Sequence, residues 1–336
     1  MKTRLIKRVL RMLFSVWAVL TLSFVVSNVL PSDPARIAAG PQARPQDVVR
    51  IRQEMGADRP LVERYGRFWK RLVHLSREAS PAKEHRDCKT LGALHFDLGR
   101  SYQQRRPVAT IVEERLPRSL MLAGAALLFQ VILGVFLGSV SASAGRARRW
   151  LTALLSRGSL LTVSLPTFLT GIALQYWFAH RLGWLPLDGY GQTTAQHAAS
   201  LVLPALTLGI HGTAYYLRIT QDEVTNQLRA DYIRTARAKG AGPWRVLILH
   251  GLRNAFLPIA TIAALDLGML ASGSVVTETV FRFPGLGSLS VLALVDRDGP
   301  IIMATVLISA LMIVLGNALA DALYGALDPR IRAPQG

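Results

Sequence analysis

The chain has 336 residues, 51% of them hydrophobic and only 18% charged, with a mean hydropathy of +0.30. Soluble domains average about 25% charged residues, so this chain is too apolar to face water on all sides. Its single cysteine, Cys88, excludes a disulfide scaffold. A net charge of +18 would point to nucleic acid in a soluble protein, but here it fits basic loops flanking membrane spans.

A helical crossing of the bilayer needs about 20 apolar residues, because no water is present there to satisfy loose backbone groups. In chain order, Lys2, Arg4, Lys7, Arg8 and Arg11 precede Met12–Ser32, a stretch without a charge. That stretch exceeds a secretory h-region and no A-x-A site follows it, so it reads as an uncleaved anchor. Asp33–Arg118 comes next, read as a mostly helical cap outside the cytoplasm, with a rough helical period through Val48, Ile51, Met55, Leu61 and Val62. Lys83–Lys89 is its most polar part and reads as a loop. Five further spans are expected near 119–145, 158–180, 199–217, 255–277 and 299–320.

The fold class is therefore an all-α polytopic membrane protein with six transmembrane helices. Residues 1–32 hold the N-terminus and first helix, 33–118 the cap between helices 1 and 2, and 119–336 a core of five helices. Lys and Arg crowd the Arg146–Arg157 and Arg218–Arg253 loops, whereas the 181–199 loop has only Arg181 and the 279–298 loop only Arg282 and Arg297. Positive charge marks the cytoplasmic side, so both termini are expected there.

Several chemistries are missing from the sequence. No Gly-Lys dipeptide occurs, which removes the phosphate-cradling G-x-x-x-x-G-K-[ST] loop, and neither H-E-x-x-H nor G-x-S-x-G is present. His85, Cys88 and His95 match no zinc spacing; a solvated loop is the simpler reading. No catalytic residue, metal site or cofactor is expected in this chain.

The long connection 221–255 between helices 4 and 5 does not read as a passive loop. Asp222 and Glu223 suit a helix start. Asp231–Lys239 is rich in helix formers and ends at Gly240, and Gly242-Pro243 restarts a helix. Ala236, Ala238 and Gly240 would let another backbone approach, while Arg234, Arg237 and Lys239 offer charge to an acidic partner. An amphipathic helix resting on lipid headgroups fits the same composition.

Arg234-Thr235-Ala236, Gly240 and Leu257-Pro258 resemble the EAA…G…LP loop of ABC-importer permeases, closest to the variant of the dipeptide/oligopeptide/nickel family. Independent resemblances are Leu30–Pro34, Asp97–Ser101 with Arg106–Val108, Glu278–Gly287 and Asp328–Arg332. Residues 69–95 look like added length, Ser32 stands where glycine is usual, and Arg234 replaces the glutamate of the general motif. The resemblance implies a transport subunit, not an enzyme, in the bacterial inner membrane. It implies a path shared with a second homologous permease, two cytoplasmic ABC ATPases binding ATP and Mg, and an extracytoplasmic substrate-binding protein, with lipid but no nucleic acid as other partners. Arg234, Thr235, Ala236, Arg237, Ala238, Lys239, Gly240, Leu257 and Pro258 would couple it to the ATPases. Cargo would be peptides or peptide-like solutes; a nickel chelate is the alternative within the family, and a gradient-driven channel or secondary transporter the alternative outside it.

Two further groups stand out. Asp266 interrupts the fifth apolar stretch, where a carboxylate costs roughly 2.5–3.5 kcal/mol on insertion scales. It reads as pathway lining that meets a peptide amine, or as one half of a structural pair with the second permease. His211 reads as a pathway group or a buried hydrogen-bonded residue. Glu278, Phe281, Pro284, Gly285 and Gly287 read as an outer gate or a rigid re-entry turn. Pro166, Pro204 and Pro258 are expected to kink their helices.

Overall fold

The structure is a computed structural model, and it describes residues 2–29, 34–40, 42–75, 89–91, 94–144 and 149–327. Leu30–Asp33, His85, Cys88, Arg146, Arg148 and Asp328–Arg332 lie outside the described residues. Among those described, five helices are long and apolar enough to cross a membrane, and a bent helix pair makes a sixth candidate.

The chain divides into two compact units, residues 1–118 with 285–311 and residues 119–284 with 312–336. The first unit opens with α1 (Lys2–Val29) and continues through α2 (Pro34–Ala39), α3 (Pro45–Met55) and α4 (Leu61–Leu72). The helical period expected over 47–65 is split in two. Gly56 takes φ +62° as the C-cap of α3, and Pro60 precedes the first residue of α4, as suits its fixed φ and missing donor. Phe24 of α1 packs edge-on against Tyr65 of α4 at 5.3 Å, and the Tyr65 hydroxyl meets Thr21 Oγ1 at 2.7 Å.

Three strands of three residues each, β1 (Val73–Leu75), β2 (Lys89–Leu91) and β3 (Leu94–Phe96), add a small antiparallel sheet ordered β1-β3-β2 to this cap. The composition gave no sign of it, because each strand is too short to display an alternating pattern. After the sheet, Arg71 Nε donates to Asp97 (2.5 Å). Asp298, 1% exposed, accepts from Ser101 Oγ (2.5 Å) and from the Gln103 N–H (3.2 Å), stapling the 97–107 loop to the start of the last long helix. Burial, and then the nearby Asp298 carboxylate, push the Tyr102 phenol above its usual pKa. Val108, Ile111, Val112, Leu286, Leu289, Ala293, Ile301 and Ala304 form this unit's apolar core.

The second unit carries the rest of α5 (Val108–Ser143), then α6 (Arg149–Ser164), α7 (Thr167–Leu174) with a π-helical extension Gln175–Arg181, and α8 (Thr194–Leu228). Next come α9 (Asp231–Ala238), α10 (Pro243–Arg245) running through a π-helical stretch Val246–Leu252 into α11 (Arg253–Ala271), and α12 (Val275–Val280). α13 (Leu286–Val295) belongs to the first unit, and α14 (Gly299–Leu327) contributes to both.

These bounds correct the expected ones. The span placed at 119–145 begins at Val108, inside the stretch assigned to the cap, and the one at 199–217 runs over Thr194–Leu228. Hydropathy marks only the part of a helix that lipid covers, whereas the helix continues until a cap or breaker stops it. The expected 255–277 span ends at Ala271, where Gly273 takes φ +111°. Of the prolines, only Pro166 breaks its helix, at an angle of 99°; Pro117, Pro204 and Pro258 lie inside continuous helices.

Helices in lipid gain little from apolar burial and associate through close packing, which small residues permit. α5 and α8 follow this rule. A Cβ on Gly138 would lie 2.6 Å from the Leu217 carbonyl, and one on Gly212 would fall onto the Gln130 amide. Gly268 of α11 and Gly316 of α14 make a second seam, with the Gly316 Cα 3.0 Å from where a Gly268 Cβ would stand.

Candidate functional site

The connection between α8 and α11 forms the helix–turn–helix expected from its glycines, with one correction. Asp222 and Glu223 do not start a helix: α8 runs through them to Leu228, and the new helix begins at Asp231. α9 closes in a Schellman turn. Gly240, at φ +81°, donates its N–H to the Arg237 carbonyl (2.9 Å), and the Ala241 N–H reaches the Ala236 carbonyl (3.1 Å). Nothing lies within 4 Å of a Cβ built on Gly240, so the backbone conformation and not local space requires glycine here. Gly242 then caps the next helix, with Pro243 at its first position.

Ile233 is the buried anchor of α9, at 1% exposure. Arg234, Thr235, Arg237, Ala238, Lys239 and Gly240 are exposed, and Ala236 is half-buried. Arg234 forms an exposed pair with Asp231 at 3.5 Å. Tyr232, which no local pattern singles out, ties α9 to both neighbours. Its hydroxyl donates to Gln227 Oε1 of α8 (2.7 Å), lies 3.3 Å from the His250 carbonyl, and accepts from Asn254 Nδ2 of α11 (3.0 Å). Only tertiary geometry reveals this, since the partners stand on separate helices. Leu257 and Pro258 are half-buried in α11, and Ala255 and Ile259 beside them join Tyr216, Val224 and Leu247 in an apolar cluster.

Among the other expected site residues, Asp266 is half-buried and accepts at Oδ2 from Gln130 Nε2 and from the Tyr216 hydroxyl (3.2 Å). The His211 ring lies between two carbonyls, Thr207 O at 3.1 Å from Nδ1 and Leu165 O at 3.0 Å from Nε2, and the one N–H of a neutral imidazole donates to one of them. Glu278 is fully buried and accepts from Ser119 Oγ (2.9 Å), while its backbone carbonyl accepts the Phe283 N–H (2.8 Å).

Phe281 packs with Leu122, Leu203, Ala205 and Phe283, and its carbonyl accepts the Gly189 N–H (3.0 Å). Pro284 is half-buried. In the first unit, Gly285 and Gly287 are buried, and Gly285 donates its N–H to Ser288 Oγ (3.1 Å) as α13 begins. Among the described residues, no three His, Cys, Asp or Glu converge as they would around a metal ion.

Comparison with known proteins decides the family. The profile described as "Binding-protein-dependent transport system inner membrane component" matches residues 131–333, and its N-terminal companion matches residues 1–123. The chain belongs to this family. It is a permease of an ABC importer, a multi-pass inner-membrane transport subunit and not an enzyme.

The permease is 37% identical over 327 residues to the glutathione transport system permease protein GsiC of Escherichia coli (strain K12), covering 97% of this chain and 98% of that one. It is 36% identical, with the same coverage, to GsiC of Salmonella paratyphi A. A solved structure, the inward-facing MetNI methionine ABC transporter, aligns over 66% of this chain and 97% of the other, with a TM-score of 0.54 at 14% identity. That likeness supports the fold alone.

Proposed function

We propose that this permease forms one half of the path of an importer for peptides or peptide-like solutes. A second homologous permease forms the other half, two cytoplasmic ATPases bind ATP and Mg, and an extracytoplasmic binding protein delivers cargo. The relatives named for glutathione transport favour a peptide-like cargo over a metal chelate. The excess of Lys and Arg in the 146–157 and 218–253 loops puts those loops, and both termini, in the cytoplasm.

The observation that carries this reading is the build of α9. Its helix is closed by Gly240 and presents Arg234, Thr235, Arg237 and Lys239 outward, while Tyr232 bolts it to α8 and α11. An ATPase that grips Arg234–Gly240 moves both helices together. Arg234, Thr235, Ala236, Arg237, Ala238, Lys239 and Gly240 make the contact, and Leu257 and Pro258 sit where α11 receives the motion. On the outer side, Glu278, Phe281, Pro284, Gly285 and Gly287 act as a fixed turn against which that motion works.

The test is Gly240→Trp in the reconstituted complex. The αL backbone disfavours any residue with a Cβ by roughly 1–2 kcal/mol, and the indole blocks close docking. Transport should fall at least tenfold, while the ATPases keep hydrolysing ATP or fail to bind the permease. Import at the wild-type rate would remove α9 as the coupling element.

A further inference from the structure

Three helices of the second unit converge on the Asp266 side chain. Gln130 of α5 and Tyr216 of α8 stand at least twelve residues from either end of their helices, about 18 Å of helix at 1.5 Å per residue. The carboxylate they hold stands near the middle of the apolar stretch 255–277. Both described hydrogen bonds go to the same oxygen, Oδ2, and both donors are neutral.

Close packing holds the donors in place. Gly212 leaves the room that the Gln130 amide fills, and Gly134 lies against the Tyr216 Cβ. Gln130 is 2% exposed and Tyr216 is wholly buried.

What this arrangement lacks is a cation. Among the described residues, no Lys, Arg or His pairs with Asp266. Arg218, two residues beyond Tyr216, gives its Nε to Ser159 Oγ (3.2 Å), and the His211 ring lies against the Thr207 and Leu165 carbonyls. Asp266 Oδ1 has no described hydrogen bond. On α11 the carboxylate stands at the edge of a face this chain leaves open, for Leu265 and Met269 beside it are 39% and 67% exposed. An intramembrane carboxylate of this kind requires a partner or a water-filled cavity.

We propose that Asp266 binds the primary ammonium group of the transported solute at Oδ1, with Gln130 and Tyr216 as positioning residues that occupy Oδ2. This rests on the peptide-importer reading, since a free N-terminus is the cation that linear peptides share whatever their side chains. An ammonium offers three donors and forms its strongest bonds with a carboxylate. A transit site must also release its cargo, as conducting sites do. The two neutral donors draw on the carboxylate's charge and so temper its grip.

The experiment uses the assembled complex purified without the binding protein, so that amine recognition by that protein plays no part. With 13C-labelled aspartate in the permease, the Asp266 carboxylate band is identified by infrared difference against Asp266→Asn. Millimolar alanylalanine should shift that band and N-acetyl-alanylalanine should not. A shift with both dipeptides, or with neither in a complex that transports alanylalanine, overturns the proposal.

In proteoliposomes supplied with the binding protein, Asp266→Asn should lower alanylalanine uptake at least tenfold with the complex intact. Tyr216→Phe should lower it severalfold. If Asp266→Asn instead makes the two permeases separate, the residue is a counter-ion between subunits and the proposal falls. Should the wild-type complex carry no peptide at all, the peptide reading fails by itself. Methylamine in place of the dipeptide then still decides whether Asp266 binds a primary ammonium.

Discussion

α9 and α12 are both short helices next to a positive-φ glycine, Gly240 in one case and Gly273 in the other, yet the chain holds them in opposite ways. α9 buries Ile233 and hangs from the Tyr232 hydroxyl, with most of its surface open. The turn after α12 buries Phe281 and Phe283, and the helix itself buries Glu278. The Gln175 amide reaches the Val280 carbonyl (3.3 Å) and the Gly189 N–H reaches that of Phe281. α9 thus leaves most of its polar surface free, as the proposed docking requires, whereas the turn after α12 spends its hydrogen bonds on its own chain.

The contrast is easiest to break at Phe281. Phe281→Ala empties part of a packed cluster, and such truncations cost about 3–5 kcal/mol in soluble cores. The purified permease should denature several degrees earlier; an unchanged midpoint would mean that the turn after α12 is as loosely held as α9. Tyr232→Phe is the intermediate case. It removes one hydroxyl with three neighbours, worth about 0.5–1.5 kcal/mol in stability, and should raise the ATP hydrolysed per solute imported. A normal ratio would show that α9 is carried by other contacts. The smallest effect belongs to Arg234→Ala, since its pair with Asp231 is 83% and 94% exposed and such pairs contribute about 0–1 kcal/mol. The denaturation midpoint should stay within error while ATPase binding weakens, which a titration of purified ATPase would reveal.

The helix–turn–helix between α8 and α11 was legible because its signals are local. Gly240 ends one helix, Gly242-Pro243 starts the next, and neither depends on the rest of the fold. Asp222 and Glu223 misled because acidic residues favour a helix start without excluding a helix interior, and nothing from 218 to 228 stops α8. The prolines were equally ambiguous. Pro166 breaks its helix, and the Leu165 carbonyl meets the ring of His211, 46 residues on, whereas Pro204 and Pro258 lie within helices that continue past them. Asp266 announced itself as an oddity, but its partners stand 50 and 136 residues away, and no local pattern names them.

The corner at Pro166 has a mechanical corollary. Two rods joined at 99° do not transmit a push along a common line: thrust along α6 reaches α7 as a sideways sweep, provided the joint keeps its angle. The His211 ring of α8 sits at that joint, with Nε2 3.0 Å from the carbonyl just before the bend. The second unit thus contains a bell-crank, able to turn a stroke along one rod into a sweep of the other.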